Sequence, residues 1–364
     1  MKRNSLFGLL AASLFLASSL LPVGARAAEA KMDPELRTAA RKAVDAGIHY
    51  LRGTQAEDGS WSKSVGITAL ALRAMLESYQ RYGTYDGAFV TRPVEFILSK
   101  VREDGAISEG AQNSSYNTSA AISALVATRR PEYGEVIAKA RTFLTGHQID
   151  DGEGYSPDHR YYGGIGYGTD ERPDLSNLYL AVEALNASGL PADDPAWAKA
   201  MTFLQRCQNR SESNDEQWAA NDGGFTYMPG WSPNGGTGSY GGMTHAGLFA
   251  LLMAHVDKSD PRVQAAFDWI RANYTVEENP GAKENAGLFY YYVAFAKSLA
   301  AYGEDEIRDT NGTAHNWRDD LARKILSMQA EDGSWINPHN KLWGEGVKDL
   351  VTAWAVIALN IATR

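Results

Sequence analysis

One segment of this 364-residue chain returns almost letter for letter near its other end: Leu51-x3-Gln55-Ala-Glu-Asp58-Gly59-Ser-Trp61 reappears as Ile325-x3-Gln329-Ala-Glu-Asp332-Gly333-Ser-Trp335. Self-similarity of this kind restricts the chain to architectures built by stacking one supersecondary unit several times. Fainter copies lie between the two: Leu98-x3-Arg102-x-Asp104-Gly105, Leu144-x3-Gln148-x2-Asp151-Gly152, and Leu204-x3-Gln208 followed after an insert by Asp222-Gly223. Ile270-x3-Tyr274 is an eroded copy. With the apolar residue as marker, positions 51, 98, 144, 204, 270 and 325 lie 47, 46, 60, 66 and 55 residues apart, which gives six units.

Each unit holds two helical patterns. The first stops at the Gln and Asp-Gly, where Gly supplies the left-handed conformation that ends a helix. The second is rich in Ala and Leu and carries few charges: Thr68 to Met75, Thr118 to Leu125, Leu178 to Leu185, Thr244 to Leu251, Tyr292 to Leu299 and Thr352 to Leu359. A helix that is apolar nearly all round must be buried on most faces. Six such pairs predict an all-α fold in two concentric rings, an α6/α6 toroid over residues 33–364. An open array would need polar-faced caps at its ends. The first and last units are instead the best-matched pair, so the ring is expected to close.

Residues 1–27 have a basic start (Lys2, Arg3), an apolar run from Leu6 to Leu21 and a small-residue exit at Ala25-Arg26-Ala27, the pattern of a secretory signal peptide. An uncut membrane anchor is the competing reading. Cleavage removes three positive charges from a net charge of −9 and leaves −12 on a periplasmic or secreted protein with no further membrane span. The acidic balance and the lack of a Lys/Arg block argue against nucleic-acid binding. The single cysteine, Cys207, excludes an internal disulfide and any zinc site that needs two thiolates.

The Leu-x3-Gln-x3-Gly-x-Trp pattern resembles the QW motif of the terpenoid cyclase and protein prenyltransferase superfamily, whose fold is the α6/α6 toroid. Pro173-Asp174-Leu-Ser176-Asn177, Gly241-Gly242-Met-Thr244-His245-Ala-Gly247-Leu and Gly287-Leu-Phe-Tyr290-Tyr291-Tyr292 are similar to exported bacterial prenyltransferase and squalene oxidase repeat proteins. The resemblance implies that Gln55 with Trp61, and Gln329 with Trp335, tie the outer ring by capping and by stacking of the amide on a neighbouring Trp. It also supplies two chemistries to test. Squalene-hopene cyclases protonate an alkene with the middle Asp of Asp-x-Asp-Asp, and the aligned positions here read Asp174-Leu-Ser176-Asn177. Neither Ser nor Asn supplies a strong acid. Prenyltransferase β subunits hold zinc with Asp, Cys and His; Glu284-Asn285-Ala286-Gly287-Leu288 has neither Asp nor Cys, and Val351 stands where the His belongs. No metal and no cofactor is therefore expected.

If the inner helices run parallel, their amino ends meet around one chamber. The side chains expected there are Tyr116, Asn117 and Thr118, then Asp174, Ser176 and Asn177, then Tyr240, Thr244 and His245. Asn285, Tyr290 to Tyr292, Asp349 and Thr352 complete the set. Converging helix dipoles favour an anionic or polyhydroxylated ligand. Asp174 and His245 are the general acid/base candidates. Asn177, Ser176, Tyr116, Asn117, Tyr240, Thr244 and Tyr291 are the expected ligand contacts. Asp174 is equally well read as an N-cap, and His245 as a core histidine. Trp343 and Glu345 are rim residues or merely solvated. The expected function is binding of an isoprenoid-like ligand; the alternatives are a glycan lyase or hydrolase and a non-catalytic binding domain on the same barrel.

Overall fold

The computed structural model describes residues 32–168 and 172–364; the proposed leader lies outside them. Six outer helices are α1 (Pro34–Thr54), α3 (Ala88–Leu98), α5 (Gly134–Thr145), α7 (Pro195–Cys207), α9 (Pro261–Ala272) and α11 (Trp317–Ser327). They alternate with six inner ones: α2 (Val65–Leu76), α4 (Ser114–Ala127), α6 (Leu175–Ala187), α8 (Gly241–Met253), α10 (Leu288–Tyr302) and α12 (Lys348–Ala362). Each inner helix packs on the next, and α12 packs on α2, so the ring is closed. All six sequence markers fall in the outer helices. A short hairpin, β1 (Glu306–Arg308) with β2 (Ala314–Asn316), interrupts the helical pattern between α10 and α11.

Local chemistry sets the helix boundaries. Asp33, Asp194 and Asp260 each cap an outer helix that starts with proline, where the missing N–H costs nothing. At the far ends, Gly59 and Gly333 take positive φ (87° and 84°). A Cβ on either would stand 2.4 Å or 2.6 Å from the backbone of the next outer helix, so no other residue fits. The repeat mark in the third unit is displaced from the position expected at Gly152. Gln148 Nε2 reaches the carbonyl of Gly163, which has φ 83° and abuts Lys199, whereas Gly152 lies in a separate 3₁₀ turn.

The repeated Gln is a clasp between units. Gln55 Nε2 donates to Gly59 O and to Phe89 O of α3, each at 3.1 Å. Gln208 likewise joins Gly223 and Arg262 of α9, and Gln329 joins Gly333 and Ala43 of α1, which fastens the last unit to the first. The amide bonds carbonyls. Trp61 and Trp335 point their indole N–H groups back at Leu51 O and Ile325 O of their own units. Inner and outer layers are joined by a second recurring bond, in which Thr68, Thr118, Thr244 and Thr352 accept from the backbone N–H of Trp61, Ile107, Phe225 and Trp335.

Candidate functional site

The amino ends of all six inner helices open on one cavity of about 460 Å³. From the helices it takes Tyr116 and Asn117, Ser176, Tyr290 and Trp354. From the connecting loops come Tyr167, Tyr227, Trp231 and Trp343, and Tyr240 stands at the start of α8. Eight aromatic rings thus face the space, and none of the described lining residues is charged. Two pairs of rings form corners: Tyr227 with Trp231 at 5.9 Å and 72°, and Tyr290 with Trp354 at 6.0 Å and 85°. The hydroxyls bond one another, Ser176 to Tyr290 at 3.0 Å and Tyr167 to Tyr227 at 3.4 Å.

The helix ends themselves are already occupied. Glu345 is fully buried, and its carboxylate accepts from the N–H groups of Leu288 (2.9 Å), Phe289 (2.6 Å) and Tyr290 (3.1 Å) and from Asn337 Nδ2, capping α10 from another unit. Glu109 does the same for Val65 at the head of α2 and also holds Asn117 Nδ2 at 2.7 Å. Asp174 caps α6, accepting from Asn177 N at 2.8 Å and Asn177 Nδ2 at 2.7 Å. Asn279 Oδ1 takes Gly242 N at α8, and Tyr167 O takes Ser115 N at α4. The anion attraction expected of converging dipoles is consequently spent inside the protein. Six helix ends at about half a positive charge each are balanced by three carboxylates.

About two turns deeper, roughly 10 Å along the inner helices, a charge cluster crosses the lumen. Glu183 of α6 bonds Arg73 of α2 and Lys297 of α10, both at 2.7 Å, and Arg73 also holds Glu77 at 2.5 Å. Burial raises the Glu183 carboxyl, but Arg73 and Lys297 overcome it and bring the pKa down to about 2. The Lys297 ammonium moves down as well, although it faces the same carboxylate. One anion shared between two cations does not compensate the ammonium for its lost water.

A family model for the squalene-hopene cyclase C-terminal domain matches residues 64–228. Among solved structures, the apo type II terpene cyclase MstE from Scytonema superposes with TM-score 0.57 at 13% identity, covering 90% of this chain and 98% of that one. The chain thus shares the α/α toroid fold of that terpene cyclase. The same architecture is shared by an inactive variant of an alpha-1,6-mannanase of Salegentibacter in complex with alpha-1,6-mannotriose (TM-score 0.56, 11% identity, 89% of this chain and 98% of that one). A possible member of the GH105 family from Klebsiella pneumoniae also shares it (0.54, 10%, 98% and 99%). No curated protein matches the sequence.

Within this toroid the sequence-derived site residues separate into two groups. Tyr116, Asn117, Ser176 and Tyr240 line the cavity. Asp174 and Asn177 sit behind the wall, each 2% exposed and bonded to the other. Thr244 is spent on Phe225 N and Tyr240 O as one of the recurring interlayer bonds. His245 is buried between Tyr291 and Phe295 with Nδ1 on Ser298 Oγ at 2.6 Å, and burial pushes its pKa down to about 3, so it stays neutral. Of the tyrosine triplet, Tyr291 and Tyr292 turn away to bond Thr275 O and Val276 O, and Tyr290 is the one facing the cavity. Asp349 turns to Thr54, and Thr118 and Thr352 make interlayer bonds. Asn285 accepts from Asn279 N. Cys207 is free and buried, and burial raises its thiol.

Sequence reasoning missed the caps Glu109 and Asn279, the wall rings Tyr167, Tyr227, Trp231 and Trp354, and the whole Arg73–Glu183–Lys297 cluster. The cluster did leave a signal: each of these three is the one charged residue in its inner helix.

Proposed function

We propose that the toroid is an exported protein whose chamber binds an organic ligand with an apolar, isoprenoid-like body. The observation that carries this is the wall: eight aromatic rings, Met243 and Leu350, interrupted by neutral hydroxyls and amides and by no described charge. Such a surface rewards the removal of hydrocarbon from water at roughly 25 cal/mol per Å² and orients it with few polar contacts. A diphosphate finds no Lys or Arg among the described lining residues. Glycan hydrolysis needs two carboxylates flanking the scissile bond, and none is on the described wall, which argues against the hydrolase alternative. The leader at residues 1–27 supports a periplasmic or secreted location.

Tryptophan fluorescence tests this directly, because Trp231, Trp343 and Trp354 belong to the wall. Farnesol is expected to shift the emission saturably, and mannotriose to leave it unchanged. Saturable binding of mannotriose without farnesol binding would overturn the reading. Mass spectrometry of lipid that copurifies with the chain supplies a second check.

A further inference from the structure

A second hollow, about 390 Å³, lies at the opposite end of the barrel from the chamber, where α4 and α6 finish. Its lining is apolar at Leu125, Val126 and Ile137 and carries three guanidinium groups, Arg129, Arg130 and Arg141. No described lining residue is acidic, in a chain whose net charge is −9. Two of the three arginines have partners inside the fold. Arg141 donates to Ser188 O at 2.8 Å, just past the carboxyl end of α6, a place that favours a cation. Arg130 pairs with Glu132 through Nε at 2.6 Å, donates to the Tyr85 hydroxyl and lies over the Tyr85 ring. The Arg129 side chain is exposed and has no hydrogen bond, ion pair or ring contact among the described residues.

Arg129 also stands there against its backbone preference. It follows the last residue capping α4 and is left-handed, with φ 56°. After α6 the same position is Gly189 (φ 74°), and α10 ends on Gly303 (φ 79°), both of which take that conformation freely. After α8 it is His255, whose ring packs on Trp197 at 5.5 Å. Arg129 has no such contact to hold it. Glu132 answers one of the three positive charges, which leaves two unanswered beside an apolar surface. The amino end of α5 opens on the same hollow at Gly134 without a side-chain cap and adds to the positive potential.

We propose that this hollow is a binding site for a phosphate monoester carried on a short alkyl tail. Two uncompensated charges match the charge of about −1.5 to −2 on a monoester at neutral pH, where a carboxylate supplies one. A guanidinium bonds a phosphate through two parallel N–H groups, and Arg129 has both available. Val126 and Ile137, half-buried, take the tail. The site is separate from the chamber and does not rest on the role given to the chamber above.

The test titrates hexyl phosphate, inorganic phosphate, hexanoate and hexanol into the full chain by isothermal calorimetry. Hexyl phosphate is expected to bind about tenfold more tightly than inorganic phosphate, through partial burial of its tail, and about tenfold more tightly than hexanoate, through its second charge. Arg129→Gln should weaken it by about tenfold or more, and Arg141→Gln should weaken it less. Arg129→Gly separates binding from folding. Glycine suits this backbone, so the melting temperature should equal or exceed that of wild type while hexyl phosphate binding is lost. A clear fall in that melting temperature would make Arg129 a structural residue and overturn the proposal. Hexyl phosphate binding that both Arg129 variants retain lies elsewhere, in the chamber, and overturns it too. So does an absence of binding, or any of the other three probes bound as tightly as hexyl phosphate.

Discussion

Replacing Glu183 with Ala orphans Lys297. The ammonium is 5% exposed, and Glu183 is its only ion-pair partner among the described residues; Arg73 keeps Glu77. Breaking a buried pair by removing one member costs about 3–5 kcal/mol. The penalty has a ceiling, because the lysine can shed its proton: from an ordinary pKa near 10.4, deprotonation at pH 7 costs about 4.6 kcal/mol. Since Arg73 remains paired, we expect about 3–4 kcal/mol. At roughly 2 cal/mol/K per residue, unfolding this chain carries an entropy near 0.7 kcal/mol/K, so the Tm should fall by about 4–6 °C. The sign with pH is fixed. A cost of about 3–4 kcal/mol lies below that ceiling, so the folded lysine of the variant keeps its proton at pH 7 and sheds it as the pH climbs toward 9; once it has, the unfolded state binds one proton more and stability relative to wild type rises by about 1.4 kcal/mol per pH unit. Thermal melts at pH 7 and pH 9 followed by circular dichroism test both statements. A double replacement, Glu183→Leu with Lys297→Met, leaves Arg73 on Glu77 and should recover most of the loss, as a well-packed apolar substitute for buried ions does. A Glu183→Ala melt within 1 °C of wild type, or a deficit that does not shrink at pH 9, would refute the account of a shared, desolvated carboxylate.

Wild type carries the complementary signature in acid. The Glu183 carboxyl sits at about 2 in the fold, so its contribution is complete above the ordinary carboxylate range and is lost as pH falls from about 4.5 toward 2; Glu183→Gln should flatten that part of the melting curve. Glu345 has the opposite sign. Burial raises it, so the fold gains from its protonation; Glu345→Gln should cost under about 1 kcal/mol at pH 7, while Glu345→Ala, which removes the cap of α10, should cost about 1–2 kcal/mol in chemical denaturation. Gly47→Ala puts a methyl 2.8 Å from both Trp335 and Val356, so despite the better helix propensity of Ala a loss of about 1–3 kcal/mol is expected by urea titration. His245→Gln should leave ligand affinity within twofold by fluorescence titration, since the imidazole pairs with Ser298 away from the wall.

The fold was legible because the residues that repeat are the ones that do geometric work. Gln55 and Gln329 reach across to the next helix, Gly59 and Gly333 stand where a Cβ would strike backbone, and the inner threonines bind the outer layer. The site was legible only where a residue lies on an inner helix. Tyr116, Asn117 and Ser176 could be placed by helical register, whereas Tyr227, Trp231 and Trp343 belong to loops whose path no periodicity fixes. Asp174 and His245 were the natural acid and base because they are ionisable and near a helix start. A helix start also needs a cap, and Asp174 meets that need. His245 was assigned to the wrong face: on a helix buried all round, sequence cannot tell the lumen face from the face packed on α10.

Alternate inner helices divide the labour. The helices with a carboxylate seated on their amino ends, α2, α6 and α10, are the same three that contribute Arg73, Glu183 and Lys297 to the lumen. Their neighbours α4 and α8 are capped by a carbonyl and an amide and carry no Lys, Arg, Asp or Glu. Charge is thereby kept in two layers, one around the mouth and one across the floor, and the space between is left to rings. A ligand in that space meets neither layer directly, yet both set the potential it feels. Changing Glu183 should therefore alter stability far more than affinity, whereas changing Glu109, which holds Asn117 on the wall, should alter affinity first.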